Sequence, residues 1–246
     1  MNGKVVIVTG AARGIGAAIA GRLAARGALS VIVDLALPAA QTVADEIVRS
    51  GGRALALAMD VSDRRQVDAT MAEIAQRCGS IDILVNNAAI NYATPIEDVS
   101  DEEWERIFAV NVRGVYNCCR AALGPMKARR WGRIVNISSS AGKTGGPISS
   151  VHYSASKAAV ISMTKSFARH LADFGVTVNA VAPGAVETDM ALLLSEDDRR
   201  RAAQAIPLHR LASPSEIAHS VAFLCSDEAA YITGEVLDVN GGAVMD

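Results

Sequence analysis

The sequence predicts a doubly wound α/β fold, with one parallel sheet of seven strands covered by helices on both faces. Three observations predict it. Short β-branched apolar runs alternate with longer stretches of helical period, the runs are apolar at consecutive positions, and a glycine-rich turn joins the first run to the first helical stretch. Alternation of strand and helix implies parallel pairing, because a parallel return needs a crossover about as long as a helix. Strands buried between two helix layers are apolar on both faces, whereas a half-exposed sheet alternates.

Taken in order, the expected strands are Val5–Thr9, Ser30–Asp34, Ala54–Met59, Ile81–Asn86, Arg133–Ser138, Thr177–Ala182 and Glu235–Val239. Between the first two, Ile15, Ile19, Leu23 and Ala24 recur at three- and four-residue steps, and Gly27 is placed to end that helix. The polar run from Ser195 to Arg201 reads as the solvated face of a helix. No Pro/Gly/Ser-rich joint, internal repeat or low-complexity tract interrupts the pattern, so residues 1–246 are expected to form a single domain.

Half of the 246 residues are apolar, a fifth are charged and the formal net charge is −2, a balance without the basic surplus that nucleic-acid binding requires. The apolar run from Val5 to Val8 is too short for a signal peptide or a spanning helix, so no membrane partner and a cytoplasmic location are expected. Cys78, Cys118, Cys119 and Cys225 form no Cys-x-x-Cys pair and lie near no histidine at ligand spacing. Reduced thiols and no metal are the expectation.

The turn Thr9-Gly10-Ala11-Ala12-Arg13-Gly14-Ile15-Gly16 follows a strand and opens a helix, where backbone amides and the helix dipole can approach a pyrophosphate. Its spacing is Gly-x3-Gly-x-Gly, not the Gly-x-Gly-x-x-Gly of long-chain dinucleotide enzymes. Asp34 closes the second strand where a carboxylate can accept hydrogen bonds from an adenosine ribose, which favours NAD. A phosphate on that ribose would meet like charge, although Arg13 beside the turn could hold it, so NADP remains possible.

Tyr153 and Lys157 are four residues apart in a helical stretch and share one face. A neighbouring ammonium would stabilise the phenolate and bring the tyrosine's proton into exchange with a substrate oxygen. Tyr-x-x-x-Lys alone also arises by chance on helix surfaces, so the pair acquires meaning only with its companions. These are Asn86-Asn87-Ala88-Ala89 after the fourth strand, Asn111 within Val110-Asn111-Val112, Ile137-Ser138-Ser139-Ser140 ending the fifth, Pro183-Gly184-Ala185-Val186-Glu187-Thr188 after the sixth, and Gly241-Gly242.

Together, in this order and over essentially the whole chain, these motifs resemble the short-chain dehydrogenase/reductase family. The chain is similar in particular to 3-oxoacyl-carrier-protein reductases and to sugar or polyol dehydrogenases. The resemblance implies one Rossmann-type domain, an NAD(P) cofactor, and hydride transfer between the nicotinamide and a secondary alcohol or ketone. It implies that Ser139 binds the substrate oxygen, Tyr153 exchanges its proton, Lys157 holds the nicotinamide ribose and lowers the tyrosine pKa, and Asn111 fixes a relay water. Ser138 and Ser140 flank Ser139, which is chosen by its place in the family motif.

The cofactor contacts implied are Gly10, Arg13, Gly14, Ile15 and Gly16 at the pyrophosphate, and Asp34 and Asn87 at the adenosine and adjoining ribose. Asp60 and Val61 would meet the adenine, Tyr153 and Lys157 the nicotinamide half, and Pro183, Val186 and Thr188 the carboxamide. Two departures stand out: Ala89 replaces the usual glycine, and the stretch from Ser139 to Tyr153 is one residue longer than in many acyl-carrier reductases.

The substrate pocket is expected from Ile90, Asn91, Ala141–His152 and a lid near 188–206, with Asn91, Ser150 and His152 favouring a small hydroxylated substrate. Homotetramer formation is implied through the helices carrying Trp104–Arg120 and Tyr153–Phe174. A nucleotide-sugar epimerase is disfavoured by the short C-terminal region, and an idle binding protein by the filled chemical positions.

Overall fold

The computed structural model describes residues 1–146, 150–188 and 196–245. The expected lid and the expected pocket segment thus fall partly outside the described residues, at 189–195 and 147–149.

The strands are β1 (Val5–Thr9), β2 (Leu29–Asp34), β3 (Arg53–Ala58), β4 (Ile83–Asn86), β5 (Gly132–Ile137), β6 (Val176–Pro183) and β7 (Val236–Val239). All pair in parallel, in the order β3-β2-β1-β4-β5-β6-β7. Chain order reverses between β1 and β4, and the carboxyl ends of those two strands frame the crevice in which doubly wound sheets bind ligands.

The helices are α1 (Gly14–Ala25), α2 (Leu37–Arg49), α3 (Arg64–Cys78), α4 (Asp101–Phe108), α5 (Gly114–Arg129), α6 (Ala141–Thr144), α7 (Val151–Leu171), α8 (Glu196–Ala205) and α9 (Pro214–Leu224). Gly27 sits just past α1 with φ +89°, a backbone that a side chain resists, and its amide bonds the carbonyl of Ala24 at 2.9 Å. Glu196, Asp197, Arg200 and Arg201 are exposed on or beside α8, the solvated face expected of that run.

Strand pleating sends alternate residues to opposite layers. Val6 and Val8 pack with Ile19 and Leu23 of α1 and Ile217 and Val221 of α9. Val5 and Ile7 face the other way, against Met71 and Ile74 of α3, Cys118, Cys119 and Met126 of α5, and Val160 and Leu171 of α7. A fully buried Leu, Ile or Met contributes about 1.5–3 kcal/mol, so two such layers hold the strand ends rigidly. The buried thiols are inert: desolvation pushes Cys119 up to about 12. Among the described residues, no helix is long and apolar enough to cross a membrane.

Candidate active site

At the carboxyl end of β1 the chain turns through Gly10 at φ +62° and Gly14 at φ +57° into α1. A side chain at Gly10 would lie 2.7 Å from the Ala88 Cα, and one at Gly16 2.4 Å from the Gly10 carbonyl oxygen, so backbone packs on backbone. Thr9 ties this turn to β4: its hydroxyl accepts from the amides of Asn87 and Ala88, each at 3.1 Å. Asn87 returns the tie by donating Nδ2 to the carbonyls of Thr9 (3.0 Å) and Gly10 (2.8 Å), which leaves its Oδ1 for a ligand. Arg13, the N-cap of α1, makes no side-chain cap bond, so the first-turn amides of Gly14, Ile15 and Gly16 meet neither helical carbonyls nor a capping side chain. That cradle, at the positive end of a helix dipole, fits a pyrophosphate.

Asp34, at the end of β2, accepts from the Ala12 amide on Oδ2 and the Ala36 amide on Oδ1, both at 3.1 Å. Its carboxylate is thus fixed beside the glycine turn with lone pairs to spare. Asp60 Oδ1 is engaged by the amide (2.8 Å) and hydroxyl (2.6 Å) of Ser62, while Val61 packs on Gly114. From the other side, the segment after β6 brings Thr188 next to the place a Gly14 side chain would occupy, at 3.6 Å. Val186 is buried and bridges Ala212, and the carbonyl of Pro183 accepts from Ser140 at 2.9 Å. The extra methyl of Ala89 costs nothing conformationally, since Arg130 and His209 are the non-glycine residues at positive φ among those described.

The three serines have separate tasks. Ser138 is buried and donates to the Lys157 carbonyl at 2.9 Å, whereas Ser139 accepts from the Ala141 amide at 3.1 Å and hydrogen-bonds the Tyr153 phenol. Ser140 receives Thr144 on its carbonyl. Only Ser139 presents its hydroxyl to Tyr153. Burial raises the Tyr153 pKa, and the Ser139 hydrogen bond lowers it in part.

The Lys157 ammonium stands 5.7 Å from the centre of the Tyr153 ring and donates to the Ile137 carbonyl at 2.8 Å. Lys157 is itself buried, and desolvation lowers its pKa to about 8.

Asn111 lies in a π-helical turn, Ala109–Arg113, between α4 and α5. Such bulges interrupt the helical ladder and recur at functional sites. Its side chain clasps Ile90, accepting from the amide and donating to the carbonyl at 2.9 Å each, and donates to Ser156 at 3.0 Å. Nδ2 is thereby saturated, so a relay water could meet only the Asn111 main-chain carbonyl or the second lone pair of Oδ1.

His152 contradicts its expected place in the pocket. It is fully buried, and Nε2 lies 2.6 Å from Glu103 Oε1 on α4. Ser150, also buried, donates to Asn91 at 3.2 Å, so those two of the three polar residues expected in the pocket are paired with each other. Thr9, Ser156, Glu103 and the anchoring role of Ser138 escape sequence reasoning. A threonine before the glycine turn and three serines in series were the available signals.

The glycine cradle, the fixed Asp34 and the Ser139–Tyr153–Lys157 cluster line one strand-end crevice. Residues 10–244 match the family model described as Enoyl-(Acyl carrier protein) reductase. The 3-oxoacyl-[acyl-carrier-protein] reductase FabG of Vibrio harveyi is 45% identical over 245 residues, covering 100% of this chain and 99% of that protein. The chain belongs to the short-chain dehydrogenase/reductase family. The enzyme of the same name from Aquifex aeolicus is 44% identical and covers 98% of each chain. Among solved structures, the 3-oxoacyl-[acyl-carrier protein] reductase from Brucella melitensis superposes with a TM-score of 0.94 at 38% identity, covering 100% of this chain and 92% of that one. The structure of gox2181 gives 0.96 at 31% identity, covering 99% and 96%. As a member of this family the chain is an oxidoreductase acting on a carbonyl/CH–OH pair, and the family implies a nicotinamide cofactor.

The buried Lys157 gives a pH signature. Its folded pKa is about 8 against an ordinary 10.5, so between those values the unfolded chain holds the extra proton and stability rises with pH. Below about pH 8 the buried charge exerts its full cost. Urea unfolding from pH 8 to 10.5 is expected to show this gain in the wild type and to lose it in Lys157→Met. Parallel pH profiles for the two proteins would contradict the assignment.

Proposed function

We propose that this chain interconverts a secondary alcohol and a ketone on a small hydroxylated substrate, preferring NAD(H), with Tyr153 as the acid–base group. The observation that carries the reading is the meeting of Ser139 and Tyr153 at the mouth of a crevice whose other end holds the Asp34 carboxylate. The nicotinamide cofactor supplies or accepts the hydride. In reduction, Ser139 donates a hydrogen bond to the carbonyl oxygen and Tyr153 delivers its phenolic proton there as the carbon gains the hydride. In oxidation the same groups take the proton back. The raised Tyr153 pKa keeps the phenol protonated, which suits the donor role at neutral pH.

For binding, we assign the pyrophosphate to Gly10, Gly14, Ile15, Gly16 and Arg13, the adenosine ribose to Asp34, and the adenine to Asp60 and Val61. Asn87 would meet the adjoining ribose through Oδ1, Lys157 the nicotinamide ribose, and Pro183, Val186 and Thr188 the carboxamide. Asn111 would reach the relay water by the atoms its clasp leaves open. Residues 188–206 would act as the lid, and the protein would be cytoplasmic.

A second reading, reduction of a 3-oxoacyl group carried on acyl carrier protein, is favoured by the names of the relatives. The Asn91–Ser150 pair beside the site supports the hydroxylated substrate instead.

The preference for NAD rests on Asp34 and on its neighbours toward the C-terminus. Leu35, 63% exposed, and Ala36 offer no cation to a ribose phosphate. A bidentate carboxylate–ribose contact contributes about 1.5–3 kcal/mol, so even a helpful Arg13 leaves a preference of roughly tenfold. Turnover should be compared with both cofactors on polyols, sugars, hydroxy acids and acetoacetyl thioesters, in the wild type and in Asp34→Ala. The expected result is a tenfold preference for NAD, narrowed or reversed in the variant, with a polyol or hydroxy acid turned over best. A wild type that prefers NADP, or that accepts only the thioester, would overturn the respective half of the reading.

A homotetramer is also proposed, built on the exposed faces of α4, α5 and α7. Trp104, Tyr116 and Val151 are large apolar residues left exposed there, and Ala158 is exposed between them. Val110 and Ala168, in the same two segments, point into the core instead. Light scattering at micromolar concentration should give four times the monomer mass, and a monomer would contradict it.

A further inference from the structure

The first turn of α7 is capped in an unusual way. Ser150 occupies the N-cap position with extended backbone, where a serine hydroxyl ordinarily accepts from an amide two or three residues on. It makes no such bond, because it donates to Asn91 Oδ1 at 3.2 Å. The amide of Tyr153, third residue of the helix, donates instead to Nδ1 of His152 at 3.1 Å. An Nδ1 that accepts carries no proton, so the ring proton sits on Nε2, which faces Glu103 Oε1 at 2.6 Å. Glu103 is held ionised: hydrogen bonds from Thr94 and then from His152 keep its carboxyl below the usual carboxylate range.

The surroundings fix the ring. His152 is fully buried, with the rings of Tyr92 and Trp104 at 6.3 and 6.4 Å, and Trp104 stacks on Phe108 at 5.0 Å. Three elements therefore converge on one imidazole: the loop after β4, through Tyr92, while its Thr94 holds Glu103; α4, through Glu103 and Trp104; and the turn that carries Tyr153. The Glu103 charge also lies near the positive end of the α7 dipole, where an anion is stabilised.

We propose that Glu103 and His152 are positioning residues for the reaction, with His152 acting as the helix cap that fixes the backbone of Tyr153 and so aims its phenol at Ser139 and the substrate oxygen. This rests on Tyr153 being the proton donor. His152 touches no reacting atom. Transferring the cap from Ser150 to His152 releases the Ser150 hydroxyl to orient Asn91, so proton donor and pocket wall are set by the same turn.

The test uses the full chain loaded with NADH, ethyl acetoacetate as the carbonyl probe, and an NMR titration of 13C-labelled tyrosine that needs no substrate. His152→Phe keeps a ring but removes both nitrogens. It should lower kcat about tenfold or more, leave NADH affinity within about twofold, and move the Tyr153 titration midpoint. His152→Asn restores an acceptor at the Nδ1 position and should recover most of kcat and the wild-type midpoint. Glu103→Ala, altered on a partly exposed side chain, should give a smaller loss of kcat of about threefold, and it decides the matter if His152→Phe does not fold.

Wild-type kcat and an unmoved Tyr153 midpoint in both His152→Phe and Glu103→Ala would overturn the proposal. So would a loss of turnover and NADH affinity together that Asn does not repair, since that marks a merely structural role. Tyr153→Phe run in parallel separates the two readings. If it turns over normally the proton-donor assignment falls, while the titration of the other variants still reports whether His152 positions Tyr153.

Discussion

Ser138 donates its hydroxyl to the carbonyl of Lys157, and Lys157 donates its ammonium to the carbonyl of Ile137, so the end of β5 and the middle of α7 are laced together where water does not reach. An unmatched polar group there would cost about 1–3 kcal/mol, which makes the register of helix on strand hard to slip. The register decides the chemistry. One residue past Ser138, Ser139 emerges at the strand end, and one helical turn before Lys157, Tyr153 arrives over it. Gly142 permits the approach, since a side chain there would come within 2.7 Å of the Lys157 backbone.

The rest of the crevice is fastened to the same frame. Asn86 Nδ2 bonds Asn136 and Asn136 Nδ2 bonds Thr164 of α7, at 2.8 and 2.9 Å, so a buried polar chain crosses from β4 through β5 to the helix. Asn87, next in sequence, holds the glycine turn by its carbonyls, and Asn111 holds Ile90 against Ser156 of α7. The glycine turn after β1, the loop after β4 and the helix that carries Tyr153 thus share one hydrogen-bonded scaffold. Displacing any one element would be felt at the others.

Much of this was legible in the sequence because it depends on local rules. All seven strands fall within two residues of their expected bounds, since consecutive β-branched residues flanked by turn signals leave little choice of element. The glycine turn falls between β1 and α1, Asp34 ends β2, and Tyr153 and Lys157 lie four residues apart on α7, where those same local rules put them. What sequence could not supply was direction. Lys157 shares a helix face with Tyr153, yet its ammonium reaches back to Ile137, which no spacing rule foretells. His152 looked like a polar pocket residue but turns inward to Glu103, forty-nine positions earlier, a contact made only by the packing of α4 on α7. Likewise, choosing among Ser138, Ser139 and Ser140 needed the three-dimensional facts that the first anchors the helix and the second meets the phenol.

On the proposed function, the phenolic proton of Tyr153, placed by this scaffold, is the one exchanged with substrate. Tyr153→Phe removes that proton and little else, because the ring remains to fill its site. NADH affinity should be unchanged and kcat lower by about a hundredfold or more, measured at saturating cofactor. A variant that binds NADH and turns over at nearly the wild-type rate would contradict it.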